Sequence, residues 1–379
     1  MRITIVVPHL SGGGAELVAC KWAEGLAELR HDVTLLLTHG TPTGHHLKGV
    51  HVQALAASTV LGRILALRKF LEKTGCEFVV GVMPYCNLLA VIASFGLRCR
   101  TAVSEHALHS SAIKTMSTSA QLQWQIAKRL YRKADVCFAV SHALASELSA
   151  ACRVPPGRLW VIPNPVLEQS KGENTRRLTS KVQAPTLRIV SPSRLVAIKR
   201  LSIVIETGEI LSKQGYTVEL HFYGEGPDKD RLEGMASASG LKAEFHGRVD
   251  KWWLKAPESS IVVLTSGLEG FGNVLVEAAA HGFPSVVSSK ALGVSDACIP
   301  GVTAQLLSGD SADDFATGVT KALAMAPLLS SSVAKHWLTR FTIQEVAVVM
   351  QQVLTSAMPT DTRRTPKEEP QGTPTTIRN

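Results

Sequence analysis

Short apolar segments alternate with amphipathic helical segments along the first half of this 379-residue chain. The predicted elements are, in order, strand 3–7, helix 15–29, strand 32–37, helix 61–72 and strands 78–82, 101–104 and 136–140. Strands that are apolar on both faces are typical of a parallel sheet that helices cover on both sides. The alternation therefore predicts a doubly wound α/β domain.

The alternation starts again after a polar stretch at residues 168–185. Strands are predicted at 187–190, 217–222, 243–246, 261–264 and 285–287, and helices at 201–214, 229–239 and 273–280. A chain of this length is more than one hydrophobic core usually serves. We therefore expect two Rossmann-like domains, 1–168 and 187–340, joined by a linker at 169–186 and facing a central ligand-binding cleft. A C-terminal helix at 341–358 could pack back on the first domain, and residues 359–379 are interpreted as a disordered tail.

The composition limits the class of protein. The apolar fraction is 45% and the charged fraction is 19%, which excludes a disordered or fibrous chain. The seven cysteines are scattered and include no Cys-x-x-Cys pair, so neither a disulfide framework nor a zinc ribbon is supported. A reducing cytosol is the simplest environment for them. The N-terminal apolar run is too short for a signal peptide and is interpreted as a buried strand.

Residues 78–97 raise the question of a membrane span, because twenty residues without a charge are long enough to cross a bilayer. Pro84, Tyr85 and Asn87 interrupt this segment. A buried strand at 78–82, a turn and a buried helix at 88–95 explain the pattern better than a transmembrane helix.

Three turns follow predicted strands and precede helices, and two of them carry residues suited to a phosphate. Residues 11–16 include three glycines before a helix, whose N-terminal amides attract anions, but a plain strand-to-helix turn explains them equally well. Arg194 and Lys199 follow the first strand of the second half and could clamp a diphosphate; a solvated basic loop is the alternative. Residues 224–227 form a similar turn before the next helix.

The most informative stretch is 266–277, which carries Glu269 in a glycine-flanked turn and Glu277 eight residues later in an otherwise apolar helix. A carboxylate in an apolar setting needs hydrogen-bond donors, and ribose or sugar hydroxyls would supply them. The amides of residues 272–275 add a second anion site at a helix N-terminus. An incidental glutamate after a glycine turn explains the pattern less well, because burying an unpaired carboxylate is costly.

With these motifs, residues 1–355 resemble glycosyltransferase family 4, which comprises retaining sugar-nucleotide transferases of the two-domain GT-B fold. Glu269 and Glu277 match the family's Glu-x7-Glu motif, and Arg194 with Lys199 matches its basic pair. Supporting matches are residues 12–16, 134–141, 162–165 and 224–227. The resemblance implies an α/β chain of the GT-B fold, similar to bacterial glycosyltransferases of polysaccharides and lipid-linked oligosaccharides.

The resemblance also implies roles for the matched residues. Arg194 and Lys199 would hold the donor diphosphate. Glu269 would contact hydroxyls of the donor sugar, and His106 would lie at the sugar pocket; these four form the implied catalytic set. The chain has thirteen histidines. Without the resemblance, His106 would be interpreted simply as one of these, located in a polar loop. The implied donor-binding residues are Gly13, Gly14, Gly224, Phe271, Gly272, Asn273, Val274, Leu275 and Glu277, the last through the nucleotide ribose.

The implied reaction is transfer of a hexose or N-acetylhexosamine from a nucleotide-diphosphate donor, most simply a UDP-sugar, with retention of configuration. The implied acceptor is a polysaccharide or a polyprenyl-diphosphate-linked glycan. No metal and no other cofactor are implied, because two cations and two helix N-termini would stabilise the leaving diphosphate. A UDP-N-acetylglucosamine 2-epimerase on the same fold is an alternative, and a catalytically silent membrane-binding homologue is another. The presence of all four charged motif residues argues against the silent homologue.

The net charge is +9, of which +7 falls on residues 1–168. Its densest part is a predicted basic helix in which Leu122, Ile126 and Leu130 share one face. Together with Trp124 and Tyr131, this pattern favours an anionic membrane surface beside the acceptor cleft. A packed helix with a solvated basic face explains it nearly as well. The cations assigned to the membrane and acceptor surface are Lys114, Lys128, Arg129, Arg132 and Lys133.

These features predict a bacterial cell-envelope enzyme in the cytoplasm, peripheral on the cytoplasmic face of the inner membrane. Its expected partners are a nucleotide sugar, a glycan or polyprenyl-diphosphate-linked acceptor, and anionic lipid. Nucleic acid is not expected, because no recognised nucleic-acid-binding module surrounds the basic patch.

Overall fold

A computed structural model describes residues 1–10, 13–41, 47–113, 116–168 and 186–358 of the chain. All but the last residue of the predicted linker 169–186, and the whole predicted tail 359–379, lie outside these residues. The described residues form two lobes, each built on its own parallel sheet. The prediction of two doubly wound α/β domains is confirmed.

The first lobe contains a seven-stranded parallel sheet in the order β3-β2-β1-β4-β5-β6-β7. Its strands are β1 (Arg2–Val7), β2 (Asp32–Leu37), β3 (Val50–Ala54), β4 (Phe78–Val82), β5 (Arg100–Glu105), β6 (Val136–Ala139) and β7 (Leu159–Val161). The central strands β1, β4, β5 and β6 are buried over most or all of their length. The sequence did not predict β3 and β7, because these edge strands are half-exposed and lack a continuous apolar run.

Helices pack on both faces of this sheet. They are α1 (Gly14–Glu28), α2 (Val60–Thr74), α3 (Met83–Ser94), α4 (His109–Ala112), α5 (Thr118–Leu130) and α6 (His142–Cys152). Helix α2 shows clear end signals: the Thr59 hydroxyl accepts a hydrogen bond from the Gly62 amide at 3.1 Å, and Gly75 ends the helix with φ at +59°.

Helix α3 corrects the prediction of a turn after residue 82. It begins at Met83, directly after β4, and Pro84 lies in its first turn, where a missing amide proton costs no hydrogen bond. Asn87 is buried inside the helix because its side-chain amide donates to the Ser104 carbonyl at 2.9 Å. In the part of the chain that the structure describes, we find no helix with both the length and the apolar character needed to span a bilayer.

The second lobe contains a six-stranded parallel sheet in the order β10-β9-β8-β11-β12-β13. Its strands are β8 (Thr186–Pro192), β9 (Thr217–Tyr223), β10 (Lys242–Phe245), β11 (Ser260–Leu264), β12 (Ser285–Ser288) and β13 (Ala304–Leu307). Its helices are α7 (Ser202–Lys213), α8 (Lys229–Ser239), α9 (Asn273–Ala280), α10 (Ala312–Ala322) and α11 (Ser332–Thr339), and α12 (Ile343–Ser356) follows them in the chain. Helix α10 begins with a reciprocal capping box between Ser311 and Asp314.

Helix α12 returns to the first lobe and packs against α1. Val346 and Met350 are fully buried there in the core that β1 and α1 share. The approach is close: a Cβ on Gly25 of α1 would lie 2.8 Å from the Ala347 Cβ. His31 and Gln351 add a side-chain hydrogen bond of 2.9 Å. The last helix that the structure describes therefore ties the two lobes together.

Candidate active site

The two sheets meet at the ends of their strands. The loop after β5 begins with His106, and the loop after β11 contains Gly270; a Cβ on Gly270 would lie only 2.0 Å from the His106 carbonyl oxygen. Near this contact, the His142 amide donates to Asp296 Oδ2 at 3.0 Å. Since ligands of open parallel sheets bind at the carboxyl ends of the strands, this junction is the candidate site.

The loop that follows β8 carries Arg194 and Lys199 and is anchored on both sides. The Leu195 amide donates to the Glu225 carbonyl at 2.8 Å, which ties the loop to the end of β9. The Thr265 hydroxyl donates to the Lys199 carbonyl at 2.7 Å, which ties it to the end of β11. The positions of the two cations are therefore set by the backbones of neighbouring strands.

Gly224 contributes to this loop by having no side chain. A Cβ at Gly224 would lie 1.9 Å from the Ser193 carbonyl oxygen, and one at Gly226 would lie 2.2 Å from the Leu195 carbonyl oxygen. Such distances are far below van der Waals contact, so both positions require glycine. The structure therefore gives Gly224 a packing role behind the Arg194 loop, and its donor-binding role stays a prediction.

The two predicted cations differ in their surroundings. The Lys199 ammonium lies 2.5 Å from Glu269 Oε1, and the two side chains are 16% and 14% exposed. The Arg194 side chain is exposed, and we find no hydrogen bond or ion pair between it and any other residue that the structure describes. The structure thus brings Lys199 and Glu269 together directly and leaves Arg194 available to a ligand.

The Glu269 turn is held by the loop that follows β12 of the same lobe. The Glu269 amide donates to the Ala291 carbonyl at 3.2 Å, and a Cβ on Gly293 would lie 2.3 Å from the Gly270 carbonyl oxygen. Gly272 then adopts φ of +99°, a conformation that favours glycine, and precedes α9. This geometry directs the N-terminus of α9 toward the junction.

The predicted amides at the start of α9 are not all free. The Leu275 amide already donates to the Gly272 carbonyl at 3.0 Å, so it is not available to a donor. The Phe271 and Leu275 side chains are buried in the hydrophobic core. Asn273 Oδ1 accepts from Asn164 Nδ2 of the first lobe at 2.7 Å. An anion would therefore meet the amides of the first turn up to Val274.

Glu277 lies one turn into α9 and is partly buried. Its Oε2 accepts a hydrogen bond from the indole Nε1 of Trp252 at 2.8 Å. Burial raises the pKa of the Glu277 carboxyl, while the indole and the positive charge of Lys21 partly lower it again. The Lys21 ammonium comes from α1 in the other lobe and donates to the Val166 carbonyl at 2.7 Å.

Sequence reasoning missed both Lys21 and Trp252. The Trp252–Trp253 pair within a charged segment is the signal that could have indicated Trp252. The sequence offers no comparable signal for Lys21, because its relation to Glu277 arises only when the two lobes meet.

His106 is largely buried beside Trp22, with ring centroids 5.5 Å apart. Its Nε2 and the Ser104 hydroxyl form a hydrogen bond of 2.9 Å. Burial lowers the pKa of His106 to about 4, although neighbouring Glu105 acts in the opposite direction. The imidazole is therefore neutral at neutral pH and can both donate and accept a hydrogen bond.

We expect His106 to make the stability of the chain pH-dependent. The pKa of His106 is about 4 in the folded chain against an ordinary value of 6.5, so the unfolded chain takes up the proton first as the pH falls. The stabilisation is therefore complete above pH 6.5 and is lost as the pH falls toward 4. Between neutral pH and about pH 4.5, the free energy of unfolding in urea should therefore fall by about 2–3 kcal/mol less in His106→Gln than in the wild type. His51→Gln, at an exposed site, is the control; equal pH dependence in His106→Gln and wild type would contradict the expectation.

In the glycine turn of the first lobe, Ser11 and Gly12 lie outside the described residues. A Cβ on Gly13 would lie 1.9 Å from Glu16 Oε2, so a larger residue there would displace this buried carboxylate. A Cβ on Gly14 would meet nothing within 4 Å. The structure therefore gives a steric reason for glycine at position 13 but none at position 14.

Two family models together match most of the sequence. The model described as "Glycosyl transferase 4-like domain" matches residues 13–165, and the model described as "Glycosyl transferases group 1" matches residues 177–333. The boundary between the two matches falls between the two lobes, and the second includes Arg194, Lys199, Glu269 and Glu277.

This chain is a group 1 glycosyltransferase of the GT-B fold.

Curated relatives of this glycosyltransferase are themselves named as glycosyltransferases. A Campylobacter jejuni α-1,4-N-acetyl-D-galactosaminyltransferase, which acts on an undecaprenyl-diphosphate-linked glycan, is 23% identical over 78% of this chain and 81% of its own length. A Staphylococcus aureus poly(ribitol-phosphate) α-N-acetylglucosaminyltransferase is 30% identical, but the match covers 33% of this chain and only 26% of that enzyme.

Solved structures share the whole two-lobed architecture. A glycosyltransferase from Rickettsia africae has a TM-score of 0.76 at 15% identity, with 94% of this chain and 98% of that one covered. Anabaena HepE, solved with UDP and glucose, has a TM-score of 0.73 at 22% identity, with 94% and 100% covered. These identities show the fold alone, and they confirm the predicted GT-B architecture.

The basic residues assigned to the membrane and acceptor surface lie away from the active site of this glycosyltransferase. Lys114 is outside the described residues. Lys128, Arg129, Arg132 and Lys133 lie at the C-terminal end of α5, near the start of β6. Because α5 runs antiparallel to the strands, its C-terminal end is roughly 20 Å from the carboxyl edge of the sheet. The expectation that this surface lies beside the acceptor cleft does not fit this placement.

The two aromatic residues of the basic segment also differ from their predicted setting. Trp124 is 1% exposed and Tyr131 is fully buried, so neither is available to a membrane. Leu122 and Ile126, by contrast, are 62% and 38% exposed on the outer face of α5. The helix thus packs through its aromatic residues and presents aliphatic residues to the surroundings.

Proposed function

We propose that this glycosyltransferase transfers a sugar from a UDP-sugar to a polysaccharide or polyprenyl-diphosphate-linked glycan, with retention of anomeric configuration. The observation that carries the proposal is the convergence of Arg194, the Lys199–Glu269 pair and the N-terminus of α9 on one edge of the cleft. Two cations and a row of helix amides are suited to a diphosphate. The acceptor class follows the C. jejuni relative, whose match extends over most of both chains.

Two further observations support a diphosphate at this edge. Ser193 Oγ and Ser266 Oγ are buried, and neither has a hydrogen-bond partner among the residues that the structure describes. Buried hydroxyls normally find a partner, and small rearrangements around a bound donor would give them one. Glu277 is the carboxylate best placed for ribose hydroxyls, because Trp252 fixes one oxygen and leaves the other free to accept.

In the proposed reaction, the bond between the anomeric carbon and the diphosphate oxygen breaks, and its electron pair leaves with the diphosphate. Arg194, Lys199 and the α9 amides stabilise the charge that develops there. The acceptor hydroxyl bonds to the same face of the anomeric carbon and gives its proton to the departing phosphate oxygen. The neutral imidazole of His106 and the side chain of Glu269 would orient the donor sugar. No metal ion or other cofactor is required in this scheme.

A panel of UDP- and GDP-sugars tests the donor assignment. Binding to the folded chain raises its melting temperature, so the true donor should give the largest shift. Donors that raise the melting temperature are then incubated with a polyprenyl-diphosphate-linked glycan, and the anomeric configuration of the product is determined by NMR. Inverted product would refute retention. Isomerised donor in reactions without acceptor would identify an epimerase instead.

We further propose that the first lobe lies on an anionic membrane through the surface formed by Phe95 and by the basic C-terminal end of α5. Phe95 at the end of α3 is 71% exposed, and the Lys133 ammonium lies 5.8 Å from its ring centroid. Arg68 of α2 donates to the Phe95 carbonyl at 2.8 Å. An exposed aromatic residue flanked by cations, next to the basic end of α5, is typical of peripheral binding to anionic lipid.

We expect the purified chain to cosediment with phosphatidylglycerol vesicles at low salt and to be released at high salt. Each cation near the surface contributes about 1 kcal/mol, so the double variant Arg129→Glu/Lys133→Glu should lower partitioning by more than about tenfold. Lys335→Glu, at an exposed position of the second lobe, is the matched control and should bind like the wild type. Equal binding to neutral vesicles would argue against the electrostatic surface.

A further inference from the structure

Three potential metal ligands lie together on one face of the second sheet, away from the donor loop. His221 is on β9 and Glu244 is on β10, and the parallel register pairs these two residues directly. His246 follows β10 by one residue, and because side chains two apart point to the same face of a strand, it extends the same cluster. The two strands therefore present two imidazoles and one carboxylate side by side.

The ligand atoms are already close to the spacing of a metal shell. His221 Nδ1 lies 3.2 Å from His246 Nε2, and each of these nitrogens lies 3.8 Å from Glu244 Oε2. Ligand atoms around a tetrahedral zinc ion, with bonds of about 2.0–2.2 Å, are separated by roughly 3.3–3.6 Å. A shift of a few tenths of an ångström in the Glu244 side chain would complete this geometry.

The cluster combines a fixed side with an accessible side. The His221 side chain is 5% exposed and is held on its strand, whereas Glu244 is 44% exposed and can adjust. The His246 ring stacks on Tyr223 with centroids 4.3 Å apart and planes 10° apart, which limits its rotation. Lys242 lies 3.5 Å from Glu244 Oε1, the oxygen that does not face the histidines. An ion can thus enter from solvent and keep a water as its fourth ligand.

We propose that His221, Glu244 and His246 form a binding site for a divalent transition-metal ion such as Zn²⁺. Two imidazoles with one carboxylate suit zinc, cobalt, nickel or copper, whereas magnesium and calcium prefer oxygen ligands. The ion would join β10 to β9 directly beside residues 224–226, which support the Arg194 loop. Its effect would be to stabilise the donor lobe, and it takes no part in the sugar transfer proposed above.

The second coordination shell sets the expected strength of binding. The Nε2 atom of His221 is buried and has no hydrogen-bond partner among the described residues. Histidine ligands normally donate their second N–H, and losing such a partner weakens metal binding by about 10–100-fold. We therefore expect a dissociation constant in the micromolar range, weaker than that of a structural zinc site.

Isothermal titration of the EDTA-treated full chain with ZnCl₂ tests the site. We expect one zinc ion per chain, no binding of MgCl₂, and a higher melting temperature with zinc. His246→Ala and Glu244→Gln should each weaken zinc binding by about tenfold or more. His51→Ala removes an exposed histidine that also faces a carboxylate, Asp32, and should leave the titration unchanged. Absence of zinc binding, or equal binding by His246→Ala, would overturn the proposal.

Cobalt(II) identifies the ligand type independently. A site made of His221, Glu244 and His246 should give the weak visible bands of a nitrogen and oxygen shell, and these should disappear in His246→Ala. The chain also has seven free cysteines, and thiolate ligands would add intense sulfur-to-metal charge transfer in the near ultraviolet. A spectrum with that charge transfer that persists in His246→Ala would place the ion elsewhere and refute the site.

Discussion

Replacing Arg194 by alanine should lower kcat/KM for sugar transfer by about 10²–10³-fold while leaving the fold intact. The side chain is exposed and has no ion pair or hydrogen bond with another described residue, so its removal costs little packing. Its charge acts on the diphosphate as the anomeric bond breaks, which is where a preorganised cation has most effect on rate. The measurements are steady-state kinetics with donor and acceptor, and a thermal melt.

Lys199→Ala should lose activity to a similar degree but should also lower the melting temperature. Its removal leaves Glu269 unpaired in a largely buried position, where the carboxylate is costly. The double variant Lys199→Met/Glu269→Gln should recover the stability but remain inactive, because it lacks both the cation and the carboxylate assigned to the donor. Recovery of the melting temperature without activity would show that the lost activity does not come from unfolding.

Lys213→Ala provides the matched control for Arg194→Ala. Lys213 is also an exposed cation of the second lobe, and it lies in the last turn of α7. It should retain full activity because α7 runs back from the carboxyl end of β8, so its last turn lies at the opposite edge of the sheet. Near-normal turnover in Arg194→Ala would show that the diphosphate is held elsewhere.

Much of this site could be predicted because its signals are local in sequence. Each signal lies within a single turn or at the start of a single helix. These signals are Gly224, Gly272, the Arg194–Lys199 spacing and the Glu269–Glu277 spacing. Helix α9 and strand β2 have the predicted boundaries, since an apolar run bounded by turn residues specifies both ends.

The orientation of α5 could not be predicted for a physical reason. The residues Leu122, Ile126 and Leu130 share one helical face, but Trp124, Ala127 and Tyr131 form a second apolar face at the same periodicity. The tertiary packing selects the second face, because Tyr131 and Trp124 bury more area and Tyr131 donates a hydrogen bond to the buried Glu105 carboxylate. Local periodicity does not contain that information.

The residues around Glu277 could not be predicted from the sequence either, because they come from both lobes. They lead to a prediction about UDP binding. Glu277→Gln should weaken UDP binding by about 10–100-fold and reduce transfer accordingly, because charge-assisted hydrogen bonds to ribose hydroxyls are replaced by neutral ones. Titration calorimetry with UDP alone measures this loss without the acceptor. A second replacement, Trp252→Phe, removes only the indole donor and should weaken UDP binding less.

The same substitution should not lower the stability of the ligand-free chain at neutral pH. Because burial raises the pKa of Glu277 in the folded state, the unfolded chain releases this proton first, and the charged group costs stability above its ordinary pKa. Glutamine keeps the shape and removes that cost, although Lys21 loses a favourable neighbour. A melting temperature equal to or above that of the wild type, together with weakened UDP binding, would mark Glu277 as a residue kept for its ligand. A large loss of stability with unchanged UDP affinity would instead make Glu277 part of the contact between the lobes.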